Sequence, residues 1–297
     1  MSACVSYRID HSTRYVHDGR ASTSQHVAYL KPRTLGHQRL VWHELTIDPA
    51  PAAIRERIDY FGNHVSQFAI LAPYTEMRVL SRSEVELQEL TGEVDPGTSP
   101  PWESVRESLL YSGGAAFEAA TEFSYPSPYA LAGAELDLFA RGFFEPGRPL
   151  LAAAIDLMHE IHDEFTFDPA ATSVATPVTE VLAQRRGVCQ DFAHLFIAAL
   201  RSLGLPARYV SGYLLTDAPP GQPRLVGADA SHAWVAVWCP VHGWIDLDPT
   251  NDVLPAMRHI TLAWGRDYGD VSPLRGVVLG GQEHRLKVEV SVYPLSA

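Results

Sequence analysis

Cys189 stands two residues after a glycine and opens a nearly unbroken apolar run in "GVCQDFAHLFIAALRSLGLP", residues 187 to 206. No proline or glycine falls between Cys189 and Leu203, Gly187 can break the preceding segment, and Gly204 and Pro206 supply a stop, so the run reads as one helix with Cys189 in its first turn. Unpaired N–H groups and the helix dipole favour an anion there, which stabilises a thiolate. The helix itself offers no base: Phe192 and Ala193 stand at i+3 and i+4, while Asp191 and His194 lie roughly 200° and 140° around the axis. A proton acceptor must come from another element. Against this stands the bland alternative, that a free cysteine is a small buried hydrophobe in a core helix.

An acceptor with suitable geometry occurs in "SHAWVAVWCPVHGWIDLDPTND". Residues 232–239 and 244–250 read as two strands of an antiparallel hairpin turning at "PVHG". His232, Trp234, Ala236 and Trp238 then share one face of the first strand, and Trp244, Asp246 and Asp248 one face of the second. That register sets Asp248 opposite or diagonal to His232, with Asp246 two residues nearer the turn. A carboxylate on one imidazole nitrogen fixes the tautomer and leaves the other nitrogen for the cysteine proton. Taken singly, His232 could be an ordinary strand histidine and Asp248 the start of a "DPT" turn.

Around these residues the chain reads as α+β, an N-terminal β domain followed by helices packed on an antiparallel sheet. Residues 1–91 alternate as strands in "YRIDHSTRYV", "HQRLVWHELTID" and "EMRVLSRSEVEL", with "DYFGNHV" as a turn. Residues 92–128 form a linker, opened by the Gly, Pro and Ser of "GEVDPGTSPPWES" and closed by "YPSPY". Residues 129–297 hold helical patterns in "ALAGAELDLFARGFF" and "PLLAAAIDLMHEIHDEF", the second with Leu151, Ile155, Met158, Ile161 and Phe165 in one stripe. The strands "ARYVSGYLL", "HAWVAVWCP", "GWIDLDP" and "EHRLKVEVSVYP" follow, with "DAPPGQP" as an exposed loop. No internal repeat is present.

"GVCQDFAHLFIAALRSLGLPARYVSGY", then "SHAWVAV", then "GWIDLDPTN" resembles the transglutaminase-like superfamily in three ordered blocks. The resemblance implies a papain-related core with Cys189 as nucleophile, His232 as base and Asp248 as its partner. "YLKPR", "GHQRL" and "DYFGN" resemble, more loosely, the β domain that precedes this core in bacterial members, described there as cysteine proteases. Animal transglutaminases carry a tryptophan after the cysteine and calcium sites in further domains. Here Gln190 follows Cys189 and no Asp-rich oxygen-ligand loop is visible, so calcium dependence is not expected. Across the family the acyl-enzyme is resolved by water or by an amine, and the triad alone does not choose.

Composition narrows the partners. The 297 residues, 46% hydrophobic and 20% charged with a formal net charge of -12, fit an ordinary globular chain and no polyanion-binding surface, so nucleic acid is not expected. No signal-like or membrane-length apolar segment is seen and three scattered cysteines make no disulfide framework, which suits a cytoplasmic chain without a membrane partner. His159 and His162 of "HEIHD" read as solvated helix residues and not as a metal motif. A zinc site of Cys189, His232 and Asp248 is the minor alternative to acyl transfer, and neither metal nor cofactor is expected. Asp229 and His194 could support the site or simply pack, Cys239 reads as structural, and residues 258–276 as a loop lining the cleft. The expected function is a cysteine-dependent acyl-transfer enzyme on a peptide or protein substrate, with hydrolysis preferred over amine transfer. A silent protein-binding module of the same fold is the rival from another class.

Overall fold

A computed structural model describes residues 4–89, 94–110, 118–216 and 230–295. The first strand is its spine: β1 (Cys4–Ala28) runs 25 residues and carries neighbours on both edges. β2 (Gln38–Asp48), β3 (Ile54–Ile58), β4 (His64–Ile70) and β5 (Tyr74–Gln88) complete the N-terminal strands in the order β2-β5-β1-β4-β3. The alternating burial of β1 and β5 follows the period-2 pattern of the sequence, while β3 is exposed throughout.

The central elements are α1 (Trp102–Ser108), α2 (Ala134–Arg141), α3 (Leu150–Glu164), β6 (Thr166–Phe167), α4 (Val178–Gln184), β7 (Arg186–Gly187) and α5 (Cys189–Ser202). They are followed by β8 (Ala207–Leu214), β9 (Ala230–Cys239), β10 (Gly243–Leu247), β11 (His259–Gly265) and α6 (Tyr268–Val271). β10-β9-β8-β11 form an antiparallel sheet, and every residue of α5 from Asp191 to Arg201 is buried against it and the helices around it. Ala233, Val235, Val237 and Cys239 face that core, so Cys239 is a packing residue. Val210, Trp234 and Ala236 form a separate apolar cluster with Trp244 and Trp264.

Three sequence readings need correction. The segment 92–128, read as linker, contains α1, whose Trp102 and Val105 are buried in the same cluster as α3 and α5. Residues 258–276, read as a loop, hold strand β11 and helix α6. Six of the seven residues of β11 are buried, so "HITLAWG" shows no in–out alternation to read. Finally β12 (Leu274–Gly280) and β13 (His284–Leu295), assigned by sequence to the second domain, pair antiparallel with β1. Tyr7, Ile9, Val85, Leu87, Val290 and Val292 join the α3 and α5 core in one cluster, so the core runs on through both halves. "DAPPGQP" and Asp229 lie outside the described residues.

β11 is an edge strand, and the N-terminal motifs answer its free backbone groups. The Gln38 amide of "GHQRL" donates to the Thr261 carbonyl and accepts from its N–H, both at 2.8 Å. Asn63 of "DYFGN" does the same for Trp264, accepting from its N–H at 3.0 Å and donating to its carbonyl at 2.8 Å. Arg33 of "YLKPR" donates to Asn63 Oδ1 and the Phe61 carbonyl. Both amides are fully buried. Asn63→Ala strands both backbone groups of Trp264 and Gln38→Ala strands the Thr261 N–H, whose carbonyl keeps the Arg33 N–H at 3.3 Å; each is expected to cost about 1–3 kcal/mol of stability. Urea unfolding measures this, and unchanged midpoints in both variants would show that the edge is held by other means.

Candidate active site

Cys189 is the first residue of α5 and is partly exposed. Asp191, buried one turn in, folds back so that its Oδ2 accepts from the Val188 N–H at 2.8 Å and from Thr172 Oγ1 at 2.6 Å. This satisfies a free donor at the helix start and fixes how the chain enters it. A Cβ on Gly187 would stand 2.8 Å from the Asp191 side chain, which explains the glycine of "GVCQD". Asp191 is thus a positioning side chain for the loop before the thiol.

The hairpin forms in the register that the alternation predicts. Trp244 pairs with Trp238, Asp246 with Ala236 and Leu247 with Val235, which sets Asp248, just past β10, diagonal to His232. The two carboxylates divide their work. Asp246 Oδ2 accepts from Trp234 Nε1 at 3.0 Å, and Asp248 Oδ2 meets His232 Nε2 at 2.7 Å. Asp248 also makes the turn foreseen for "DPT": its Oδ1 accepts from the Thr250 and Asn251 N–H groups at 3.0 and 3.3 Å. One oxygen shapes the chain and the other holds the imidazole.

Two further residues, unremarked in the sequence, converge on that oxygen. His259 Nε2 lies 2.9 Å and Asn251 Nδ2 2.7 Å from Asp248 Oδ2. Asn251 is three residues past Asp248, within reach of any tight turn. His259 begins β11, and a histidine heading a mostly apolar run was the available signal. His159 and His162 are exposed, as expected, yet they are not simply solvated: their Nδ1 atoms meet Asp252 and, at 3.0 Å, the Thr250 carbonyl, bracing the turn after Asp248. His194 packs: it is buried, stacks on Tyr129 with ring centroids 5.6 Å apart, and accepts the Tyr268 N–H at 3.1 Å. Burial lowers it to about 4, so it is neutral at ordinary pH.

His232, Asp248 and His259 are all buried. Burial opposes charging of His232, but hydrogen bonds with Asp248 and with Cys189, and the charges of both, outweigh it and raise the imidazolium to about 10. Since Nε2 is taken by Asp248, Nδ1 is the nitrogen left for Cys189. Burial likewise opposes ionisation of Asp248, and the bonds to His232 and His259 outweigh it, holding the carboxyl well below its usual range. The ligand-type atoms of His232, Asp248 and His259 lie within 4.8 Å of one another, a donor set that could hold a metal ion. Both imidazoles and Asn251 already meet the same Oδ2, so a metal there would have to displace these bonds.

Residues 138–249 match the model of the transglutaminase-like superfamily, and residues 7–86 that of the bacterial transglutaminase-like N-terminal region. The uncharacterized protein Rv2569c of Mycobacterium tuberculosis is 41% identical over 302 residues, covering 99% of this chain and 94% of that one. A protein-glutamine gamma-glutamyltransferase of Pseudomonas aeruginosa is 35% identical over 107 residues, which is 36% of this chain and 16% of that protein. The solved structure of a "putative cysteine protease" from Cytophaga hutchinsonii superposes with a TM-score of 0.76 at 19% identity, over 100% of this chain and 92% of that one, and so shares the fold. With both regions matched and relatives similar along nearly its whole length, the chain belongs to the transglutaminase-like superfamily.

Proposed function

We propose that the protein is a cysteine-dependent acyl-transfer enzyme acting on peptide or carboxamide bonds, with Cys189, His232 and Asp248 as its catalytic triad. The observation that carries this reading is buried His232 bonded to Asp248, with Cys189, at the start of a buried helix, near enough to help raise the imidazole's pKa. The Cys189 sulfur attacks the carbonyl carbon, the C–N bond breaks, and His232 delivers a proton to the leaving amine. Water then attacks the thioester, His232 takes its proton, and the carboxylic acid leaves with the thiol restored. The Cys189 N–H at the helix start is the first candidate donor to the oxyanion. Hydrolysis needs only an open cleft, whereas amine transfer needs a route for a neutral amine that excludes water. The similarity to a gamma-glutamyltransferase favours amine transfer as the second reading.

The test is mass spectrometry of a glutamine- and lysine-containing peptide library incubated with the protein and a labelled primary amine. Cleavage, or a gain of about one mass unit by deamidation, supports hydrolysis; amine incorporation that outpaces both assigns a transglutaminase. With iodoacetamide at pH 6, Cys189 should be labelled well before Cys4 and Cys239. Equal, slow labelling of all three would leave the silent binding module instead.

The electrostatics give the pH dependence a sign. His232 is raised in the folded state, so its contribution to stability is complete below about 6.5 and is lost as pH rises through about 10. Asp248 is depressed, so its contribution is present above about 3.9 and fades as pH falls toward its lower folded value. As general acid, His232 should sustain kcat/KM on the alkaline side up to about pH 10. In Asp248→Asn that limb should move toward about 6.5. An alkaline limb near neutrality in the parent protein would contradict the assignment of His232.

A further inference from the structure

Arg208 of β8 lies on the sheet face away from α5, its guanidinium carbon 4.3 Å from the Trp244 ring centre and 3.8 Å from that of Trp264. Arg33 covers Trp264 at 3.5 Å, so two cations flank one indole. Stacking satisfies the faces of a guanidinium but leaves its N–H groups pointing outward in plane. Elsewhere the protein answers such groups. Buried Arg201 donates to the Phe123, Ala207 and Arg266 carbonyls and to Ser127 Oγ, all within 2.8 Å, and Arg33, though its Nε is likewise unpartnered, reaches Phe61 and Asn63 through its terminal N–H groups. The Arg208 side chain makes no hydrogen bond or ion pair with the described residues, and its Nε is buried without a partner. Burial lowers Arg208 to about 10, which leaves it charged at neutral pH. Asp246, the nearby acid, stands beyond Ala236 across the sheet and is bonded to Trp234.

Arg208 opens on a cleft of about 660 Å³, a volume typical of small-molecule sites. Its other walls are mostly apolar, among them Leu87, Val94, Ile245, Leu254 and Met257, and two acids line it as well, the exposed Glu89 and Asp246, whose Oδ2 is engaged by Trp234. Neither Cys189 nor His232 lines the cleft; His259 does, from behind the proposed triad. We propose that this cleft is a second site that binds a small carboxylate with an apolar body. The carboxylate meets the N–H edge of Arg208 and the body lies among the aliphatic walls. The planar fork of Arg208 suits a planar monoanion, whereas a phosphate dianion beside Asp246 and Glu89 would call for further donors. The stacked indoles hold the guanidinium in place, so little side-chain freedom is lost on binding.

Octanoate is the probe, with octanamide and octylamine as controls, titrated into the full chain by calorimetry and followed by tryptophan fluorescence, since three indoles line the cleft. Saturable octanoate binding is expected, with octanamide and octylamine at least about tenfold weaker because they lack the charge-assisted pair. Arg208→Met, which keeps an apolar filling between the indoles, should weaken octanoate to the same degree. Leu254→Glu is on an exposed lip and safe for folding; it should also weaken octanoate by setting a like charge in the cleft. Cys189→Ala should bind octanoate unchanged, which separates this site from the proposed reaction. No saturation by ~10 mM, where binding is worth less than about 3 kcal/mol, would overturn the proposal. Equal affinity for octanamide, or unchanged octanoate binding in both cleft variants, would do so too and leave the stack a purely structural one.

Discussion

Cys189→Ala should abolish turnover, a loss on the order of a millionfold in kcat when a nucleophile that works as a unit with its base is removed. The residue is partly exposed at a helix end, and the buried body of α5 begins beyond it, so stability should change by less than about 1 kcal/mol. Two readouts follow. Intact-mass spectrometry should find the thioester adduct in the parent and none in the variant. His232 should also lose part of its raised pKa, because Cys189 is among the groups that raise it to about 10, and an NMR titration of the imidazole would show the fall. Turnover retained above roughly a tenth of the parent's would remove Cys189 from the reaction.

What the sequence disclosed was local. The helix start at Cys189 was readable from Gly187, the long stretch without helix breakers and Gly204, which adopts φ +78 just past the helix end. The hairpin was readable because a short turn and a period-2 pattern fix register and face together, and so the alternation set Asp248 opposite or diagonal to His232; the structure makes it diagonal. Partners distant in the chain were not readable. The alternation in "HRLKVEVSVYPL" says which side chains share a face, but it is silent on which strand lies beside it, and β13 pairs with a strand at the opposite end of the sequence. β11 was hidden for another reason: its burial leaves no period to detect, and with the strand went His259. Gln38 read as an ordinary strand residue and Asn63 as a turn residue, and only the edge of β11 explains why they are fully buried.

Asp248→Asn should lower kcat by about three to four orders of magnitude, the effect of presenting imidazole in the wrong tautomer. The substitution keeps an oxygen that can remain on the Thr250 and Asn251 N–H groups, so the turn should survive. It replaces by an NH₂ the oxygen on which His232, His259 and Asn251 converge, so three donors lose their acceptor. Asp246→Asn is the internal control: its Oδ2 serves Trp234 Nε1 and not His232, so turnover should fall by less than about tenfold. His259→Gln tests the second imidazole. It can still donate to Asp248, and the loss should be intermediate, with the alkaline limb moved less than in Asp248→Asn. The ordering of the three variants is the discriminating result. If Asp246→Asn proved the damaging change and Asp248→Asn harmless, the hydrogen bond at 2.7 Å between Asp248 and His232 would be structural, and the proposed triad would fail at its third member.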